Sequence, residues 1–509
     1  MAVDLDSKDF ILGVTGAGAM GRGIVQVAAA GGLAVRLYDV NSDQTKDALQ
    51  FIERMLGRTA EKGQMSADDA AAAVGRVAGI EEAKDFAPCG IVIEAATENP
   101  EIKRKIYAEL EAIVAEDAII ATNTSSLSVT TLASGLDHPE RFVGMHFFNP
   151  VPLMRLVEVI DGVLTPPEIG DTLMELGRRM TREPVRVKDA PGFLVNQVGR
   201  GYNIEAAHMY GECIAGTVDL DRILQDAAGF RMGPFTLLDL TALDVTHPAT
   251  ELIYEQFYHE PRYRPSPILR ARMEAGMLGR KVGRGFYEYP DGKQAMPEEK
   301  APPPAPDGRK VWISPAEDEG HVALLEVVEK IGASLDRAKK PGKDSIILVT
   351  PIGDDVTTAA VKQELDPTRT LGVDTVMGLE SRRTLATNPA TTREARDAAH
   401  GMLAGDGVPV TVIRDGPGFV CQRIISTICN IGCQIAQYGI AAPEDIDKAV
   451  VLGLNYPSGP LTFGDTVGPK KILRILEAMY RIYGDPRYRP CPWLRRRAEL
   501  GLSLFTEEV

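Results

Sequence analysis

Residues 10–39 read FILGVTGAGAMGRGIVQVAAAGGLAVRLYD, and this stretch decides the architecture of the first part of the chain. An apolar run at 10–15 leads directly into Gly16-Ala17-Gly18-Ala19-Met20-Gly21, which fits G-x-G-x-x-G. The alanine-rich segment 24–30 predicts a helix, and 33–38 (LAVRLY) predicts a second strand that ends at Asp39. In such a unit the first glycine permits a tight turn and the second lets backbone approach a pyrophosphate. The third allows close packing of helix on strand. The helix N-terminus adds unpaired N–H groups and a favourable dipole. Glycine-rich turns are common, so the six residues alone are weak evidence. Their position between strand and helix, with Asp39 ending the next strand, makes the reading specific for a dinucleotide. Asp39 would accept hydrogen bonds from the ribose hydroxyls of NAD and repel the extra phosphate of NADP. Taken by itself, Asp39 also reads as a solvated acid at a strand end.

Working outward, the segment 42–75 is helical in pattern, and further strands are predicted at 90–95 (GIVIEA), 118–122, 142–146 and 155–160. Strands alternating with helices indicate an α/β domain with a doubly wound, mostly parallel, Rossmann-type sheet. We place it at 1–188. Long helical patterns then predict an all-α domain at 189–296. The stretch 297–308 (PEEKAPPPAPDG) is Pro-rich and charged, so 297–310 reads as an exposed linker.

The all-α segment is written twice. Asp189, Pro191, Gly192 and Phe193 recur as Asp415, Pro417, Gly418 and Phe419, an offset of 226 (415 − 189). At the same offset Asp219 and Asp221 recur as Asp445 and Asp447, and Gly233, Pro234, Thr236 and Asp239 recur as Gly459, Pro460, Thr462 and Asp465. This places a second all-α copy at 415–509. The region before it, 311–414, is a truncated, degenerate Rossmann-like segment: 346–349 and 369–374 echo 119–122 and 141–146, but no glycine-rich turn precedes them. Shared residues are candidates for scaffold, and residues present once are candidates for chemistry. Asn196 faces Gln422, and the place of His146 is taken by Asp374. One active site per chain is expected.

Composition narrows the function classes. The formal charge of −15, from 56 basic and 71 acidic residues, argues against nucleic acid or an anionic membrane surface as partner. The acidic start, MAVDLDSKDF, is unlike a signal peptide, and no run of eighteen apolar residues predicts a membrane span. Six cysteines without C-x-x-C spacing read as buried thiols rather than metal ligands, so no metal is expected and a reducing cytoplasm fits.

Chemistry concentrates at predicted strand ends. Asn123-Thr124-Ser125-Ser126 follows one strand, at the edge where open α/β sheets bind ligands. His146 ends another strand, and Glu158 lies between Val157 and Val159 in the next. A histidine can take a proton near neutral pH when a carboxylate holds its ring, and a charge flanked by valines needs a partner. A lone His146 would more often be a core or capping residue. With only seven histidines in the chain and an aspartate at its place in the second copy, the pairing with Glu158 is the better reading.

In these motifs the chain resembles the L-3-hydroxyacyl-CoA dehydrogenases. The likeness runs over 10–289 through GAGAMG, IVIEAATEN, ATNTSSLSV, MHFFNPVPLMRLVEVI, DAPGFLVNQ, GFRMGPFTLLDLTALDV and GRKVGRGFYEY. The linker and second C-terminal domain resemble the long bacterial form of the 3-hydroxyadipyl-CoA dehydrogenase type. The resemblance implies NAD-dependent oxidation of an L-3-hydroxyacyl-CoA to the 3-oxoacyl-CoA, with 3-hydroxyadipyl-CoA and 3-hydroxybutyryl-CoA as candidate substrates. It implies that His146, paired with Glu158, is the general base, and that Ser125 and Asn196 hold the substrate oxygen. It also implies cofactor contacts from Glu98, Lys103, Ser125, Asn149 and Lys281 beside the glycine turn and Asp39. Gln197 departs from the family, where arginine is usual after the asparagine.

Coenzyme A needs cations for its phosphates. Arg54, Arg58 and Lys62 recur every four residues and form one basic stripe on the predicted helix, though a solvated charged face reads the same way. Lys62 matches a family lysine that contacts the CoA moiety, and Ser125 borders the same substrate. In shorter relatives two subunits pair through their C-terminal domains, so the two copies here are expected to pair within one chain, with further homo-oligomers left open. Two other classes stay in view: a β-hydroxyacid dehydrogenase acting on a free acid, and a non-catalytic scaffold for NAD or acyl-CoA.

Overall fold

The 10–15 run forms β1 (Ile11–Thr15), which lies inside an eight-stranded sheet with β2 (Ala34–Tyr38), β3 (Val77–Gly79), β4 (Ile91–Glu94), β5 (Ile119–Thr122), β6 (Phe142–Phe147), β7 (Leu156–Asp161) and β8 (Glu183–Lys188). The order is β3-β2-β1-β4-β5-β6-β7-β8, and every pairing is parallel except β6 with β7. Burial explains the composition. The inner strands are covered on both faces and carry near-continuous apolar runs, with Ile91, Val92, Ile93, Ile119 and Ile120 fully buried. The computed structural model describes residues 3–305 and 308–508, so two residues of the linker, Pro306 and Asp307, lie outside the described residues.

Three local readings differ from the sequence pattern. The helical stretch 42–75 is two helices, Ser42–Glu61 and Ala67–Gly75. Gly63 turns the chain at φ 69°, and Ser66 caps the second helix by accepting the N–H of Asp69 at 3.0 Å. β3 has only three residues, too few for a visible alternation. β8 contains Pro184 and three charged residues, which argues against a strand in sequence; at the sheet edge, where it lies, proline is tolerated.

The chain forms two compact units, Met1–Asn196 with Tyr438–Leu454, and Gln197–Gln437 with Asn455–Val509. The first extends past residue 188 because Glu158 accepts the N–H groups of Leu194 and Val195. It includes the helix Pro443–Leu454, which the repeat assigns to the second all-α copy. Ile440 accepts the N–H of Lys188 at 2.8 Å, and Lys448 pairs with Glu183 at 3.1 Å.

The second unit carries a five-stranded sheet of β9 (Val311–Ile313), β10 (Ile346–Val349), β11 (Thr370–Val373), β12 (Arg383–Ala386) and β13 (Val410–Ile413), in the order β13-β12-β11-β10-β9. Its single antiparallel pair, β11 with β12, repeats that of β6 with β7, so the truncation removes the strands that would carry a nucleotide turn. Arg414 donates its N–H to Ile214 at 2.8 Å; both positions lie 226 from those of the Lys188–Ile440 bond (414 − 188 and 440 − 214). Shared aspartates act as scaffold in both copies. Asp239 accepts the N–H groups of Phe286 and Tyr287, and Asp465 accepts that of Leu504. The helices Val195–Gly211 and Cys421–Gln437 are joined by Arg423, which binds Glu205 and reaches Glu212 at 2.7 and 2.8 Å.

All six cysteines are free thiols, and only Cys213 is exposed. Among the described residues no helix is long and apolar enough to cross a membrane, and no group of three or more His, Cys, Asp or Glu side chains is placed to hold a metal ion.

Candidate active site

The glycine turn is shaped by contacts that exclude side chains. Gly16 has φ 98°, and a Cβ there would lie 2.7 Å from the backbone of Ala95 and Ala96. A Cβ on Gly21 would lie 1.7 Å from the carbonyl oxygen of Gly16, so helix Ala19–Ala30 can start this close to β1 only with glycine. Gly18, by contrast, faces open space: nothing lies within 4 Å of its Cβ position, which leaves room for a pyrophosphate against the helix N-terminus. Among the described residues no side chain caps that helix, so its first N–H groups remain for a ligand. Ala19 and Met20 form its first turn. Asp39 is tied to the same turn, accepting the N–H of Ala17 at 2.8 Å and of Asn41 at 2.9 Å. These residues fit a dinucleotide.

Beside the turn, a buried polar cluster shapes the loop after β5. Glu94 ends β4 with no exposed surface; its Oε2 binds Lys103 at 2.6 Å, Tyr107 at 2.5 Å and Thr122 at 3.2 Å. Lys103 is 2% exposed and lies between Glu94 and Glu98, 3.8 Å from the latter. Its four-carbon stem turns inward because the Glu94 carboxylate inside the sheet edge needs a counter-charge. Glu98 gathers the loop: Oε1 accepts from the Thr124 hydroxyl at 2.7 Å, from Ser125 N–H at 2.9 Å and Oγ at 3.2 Å, and from Ser126 N–H and Oγ at 3.1 Å each. Burial pushes the Glu98 carboxyl up, but the Lys103 charge and these hydrogen bonds outweigh it and hold the group below the usual carboxylate range. The roles of Tyr107 and Thr122 escape sequence reading. The visible signal is Glu94, an acid ending an otherwise apolar strand.

His146 and Glu158 face each other in register across β6 and β7, and Nδ1 lies 2.7 Å from Oε2. The other carboxylate oxygen accepts the N–H groups of Leu194 and Val195 at 3.1 and 2.9 Å, where the helix Val195–Gly211 begins. Phe148 and Phe193 flank the imidazole at 4.5 and 5.9 Å between ring centres. The ring is therefore held on one nitrogen and by its faces, and Nε2 has no hydrogen-bond partner among the described residues. Asn196 donates to the Ser125 carbonyl at 3.1 Å, which brings the two predicted substrate-oxygen ligands together. Asn123, on the same loop, accepts the N–H of Phe147 at 2.8 Å and fixes the end of β5 to the end of β6. Asn149 follows two residues later, exposed.

Arg54 and Arg58 are exposed on the helix Ser42–Glu61, with Lys62 just past its end; none of the three pairs with a carboxylate among the described residues. Lys281 belongs to the second unit, where it pairs with Asp244. Gln197 is buried and accepts from the Tyr263 hydroxyl at 3.2 Å, a packing contact within that unit.

Comparison with known proteins shows the family. The model of the 3-hydroxyacyl-CoA dehydrogenase NAD binding domain matches residues 11–190, and that of the C-terminal domain matches 192–289 and again 418–504. The chain is 34% identical over 490 residues to the 3-hydroxyadipyl-CoA dehydrogenase of Escherichia coli (strain K12), covering 96% of this chain and 97% of that one. It is 40% identical over 277 residues to a probable 3-hydroxybutyryl-CoA dehydrogenase of Deinococcus radiodurans, covering 54% of this chain and 99% of the relative. A crystal structure of 3-hydroxybutyryl-CoA dehydrogenase from Escherichia coli K12 superposes with a TM-score of 0.84 at 32% identity, covering 96% of this chain and 98% of that one. The chain belongs to the 3-hydroxyacyl-CoA dehydrogenase family, whose members use NAD to oxidise 3-hydroxyacyl-CoA thioesters.

Proposed function

We propose that His146 is the general base of this oxidation, with its ring set by Glu158. The observation that carries the reading is the 2.7 Å Nδ1–Oε2 bond with Nε2 left to receive the hydroxyl proton of the substrate. NAD, held by Gly16, Gly18, Ala19, Met20, Gly21 and Asp39, supplies the hydride acceptor. His146 removes the O3 proton, and Glu158 stabilises the imidazolium that results. Asn196, and Ser125 once its hydroxyl turns from Glu98, direct hydrogen bonds to the oxygen as it becomes a carbonyl, and positioning of this kind lowers the barrier without further chemistry. Glu98 acts through Ser125, whose N–H and hydroxyl it accepts. Asn149 contributes to the cofactor side, and Arg54, Arg58 and Lys62 to the phosphates of CoA.

The substrate is a CoA thioester, with 3-hydroxyadipyl-CoA and 3-hydroxybutyryl-CoA as the leading candidates, the substrates named for the relatives. NADH formation is measured with 3-hydroxybutyryl-CoA, 3-hydroxyadipyl-CoA and free 3-hydroxybutyrate. Turnover of the thioesters alone is expected; comparable kcat/KM on the free acid would replace this reading with a β-hydroxyacid dehydrogenase.

The two all-α copies stand in for a pair of subunits. The reciprocal Lys188–Ile440 and Arg414–Ile214 bonds support this, because the relation is that of a twofold exchange. Six free thiols support a reducing, cytoplasmic setting.

A further inference from the structure

Where β8 begins, the first unit holds a cavity of about 550 Å³ lined by Arg155, Arg178, Arg182 and Lys448, with Glu183 and Asp445 as its lining acids. Arg178 pairs with Glu175 at 3.2 Å, so one positive charge remains in excess, in a chain whose formal charge is −15. Of the two acids, Glu183 is already committed. Glu183 divides its carboxylate between Arg155 at 2.8 Å and Lys448 at 3.1 Å. Arg182 meets no carboxylate among the described residues. Its Nη1 donates to the carbonyls of Val151 and Met154, both at 3.0 Å, and its Nε to that of Met180 at 3.1 Å. Burial, and then the charge of Arg155, push the pKa of Arg182 down, as expected of a fixed cation that lacks a counter-ion.

We infer that this cavity is a second anion site, built for the phosphate groups of a small phosphorylated ligand. Guanidinium forks with an added ammonium suit a tetrahedral dianion. The volume lies within the range of small-molecule sites, roughly 300–1,000 Å³, and exceeds what a single phosphate fills, so a pyrophosphate or larger group is the fitting size. The site also borders the chemistry. The segment 149–154 joins β6, which carries His146, to β7, which carries Glu158, and Arg182 pins it through Val151 and Met154. An anion drawing on Arg182 would therefore act on the segment that begins at Asn149.

The test is calorimetric titration of the full chain with inorganic pyrophosphate and, separately, ATP. NAD and acetoacetyl-CoA are kept saturating, to fill the cofactor and thioester sites without turnover. One equivalent of pyrophosphate per chain is expected at 150 mM salt, weakened about tenfold by Lys448→Gln and by Arg155→Gln and unchanged by Lys62→Ala. Both substituted residues are surface side chains, so the variants fold. Tighter binding of ATP than of pyrophosphate assigns the site to a nucleotide, and equal binding assigns it to the phosphates alone. No binding, binding indifferent to both variants, or malonate binding as tightly as pyrophosphate overturns the inference.

Discussion

His146 and Glu158 form a 2.7 Å pair inside the sheet, with the carboxylate at 0% and the imidazole at 6% exposure. A base this enclosed depends on its partner for orientation. His146→Gln is expected to lower kcat by roughly 10²–10⁴. The dissociation constant for NADH, read by fluorescence, should stay within about twofold of wild type, an amount small against 1.4 kcal/mol per factor of ten. Retained turnover removes His146 from the role of base.

Asp39 is fixed by two backbone N–H groups, so its carboxylate has little freedom to turn away from a ribose. Asp39→Asn keeps the shape and removes the charge. It should weaken NAD by about tenfold or more, the worth of a charge-assisted hydrogen bond, and narrow the gap to NADP. The measurement is kcat/KM for both cofactors; an unchanged ratio would sink the assignment.

How far the sequence reaches can be judged at individual residues. The sheet strands with long apolar runs are legible, and so are the His146–Glu158 register and the glycine turn, because each has a local pattern. β8 is not legible, since Pro184 is permitted only by its edge position. The place of Lys103 is not legible for another reason: nothing local shows that it pairs with Glu94 inside the protein. The helix Pro443–Leu454 belongs by sequence to the second copy, and its packing beside β8, where Lys188 meets Ile440 and Lys448 meets Glu183, has no local signal.

Lys62 ends the helix whose outer face carries Arg54 and Arg58. Lys62→Ala should raise KM for acyl-CoA several-fold while leaving KM for NAD unchanged. Raising the salt should shrink the difference, as it does for any exposed charge contact. Equal effects on both substrates would return the stripe to an ordinary solvated face.

Asp374 occupies the place of His146 in the second sheet, buried, with Gln422 donating to Oδ1 at 3.1 Å and Oδ2 unpaired among the described residues. Burial pushes its carboxyl up to about 6. Between an unfolded value near 3.9 and that pKa, the folded chain keeps a proton the unfolded chain has lost. Its contribution is thus favourable below pH 4 and is lost as pH rises through 6. Asp374→Asn should stabilise the protein by roughly 1–3 kcal/mol at pH 7.5 and by little at pH 4. Urea midpoints at the two pH values check this; a gain of equal size at both would mean that the carboxyl is not the cause.

Arg423 is fully buried and binds Glu205 and Glu212, while Tyr488 donates to Glu205 at 2.7 Å. Burial raises the Glu205 carboxyl, but Arg423 foremost and then Arg487 outweigh it and hold the group at about 2. Such a pair is weak evidence for stability as a whole, yet removing one partner strands the other charge in the interior. Arg423→Met should therefore cost about 3–5 kcal/mol, whereas Arg423→Met with Glu205→Met should recover part of that loss. Because the pair joins the helices Val195–Gly211 and Cys421–Gln437, the single variant should also loosen the two copies, read as faster amide exchange in both helices. A single variant as stable as wild type would mean that the copies are held together by apolar packing, with Arg423 contributing only specificity.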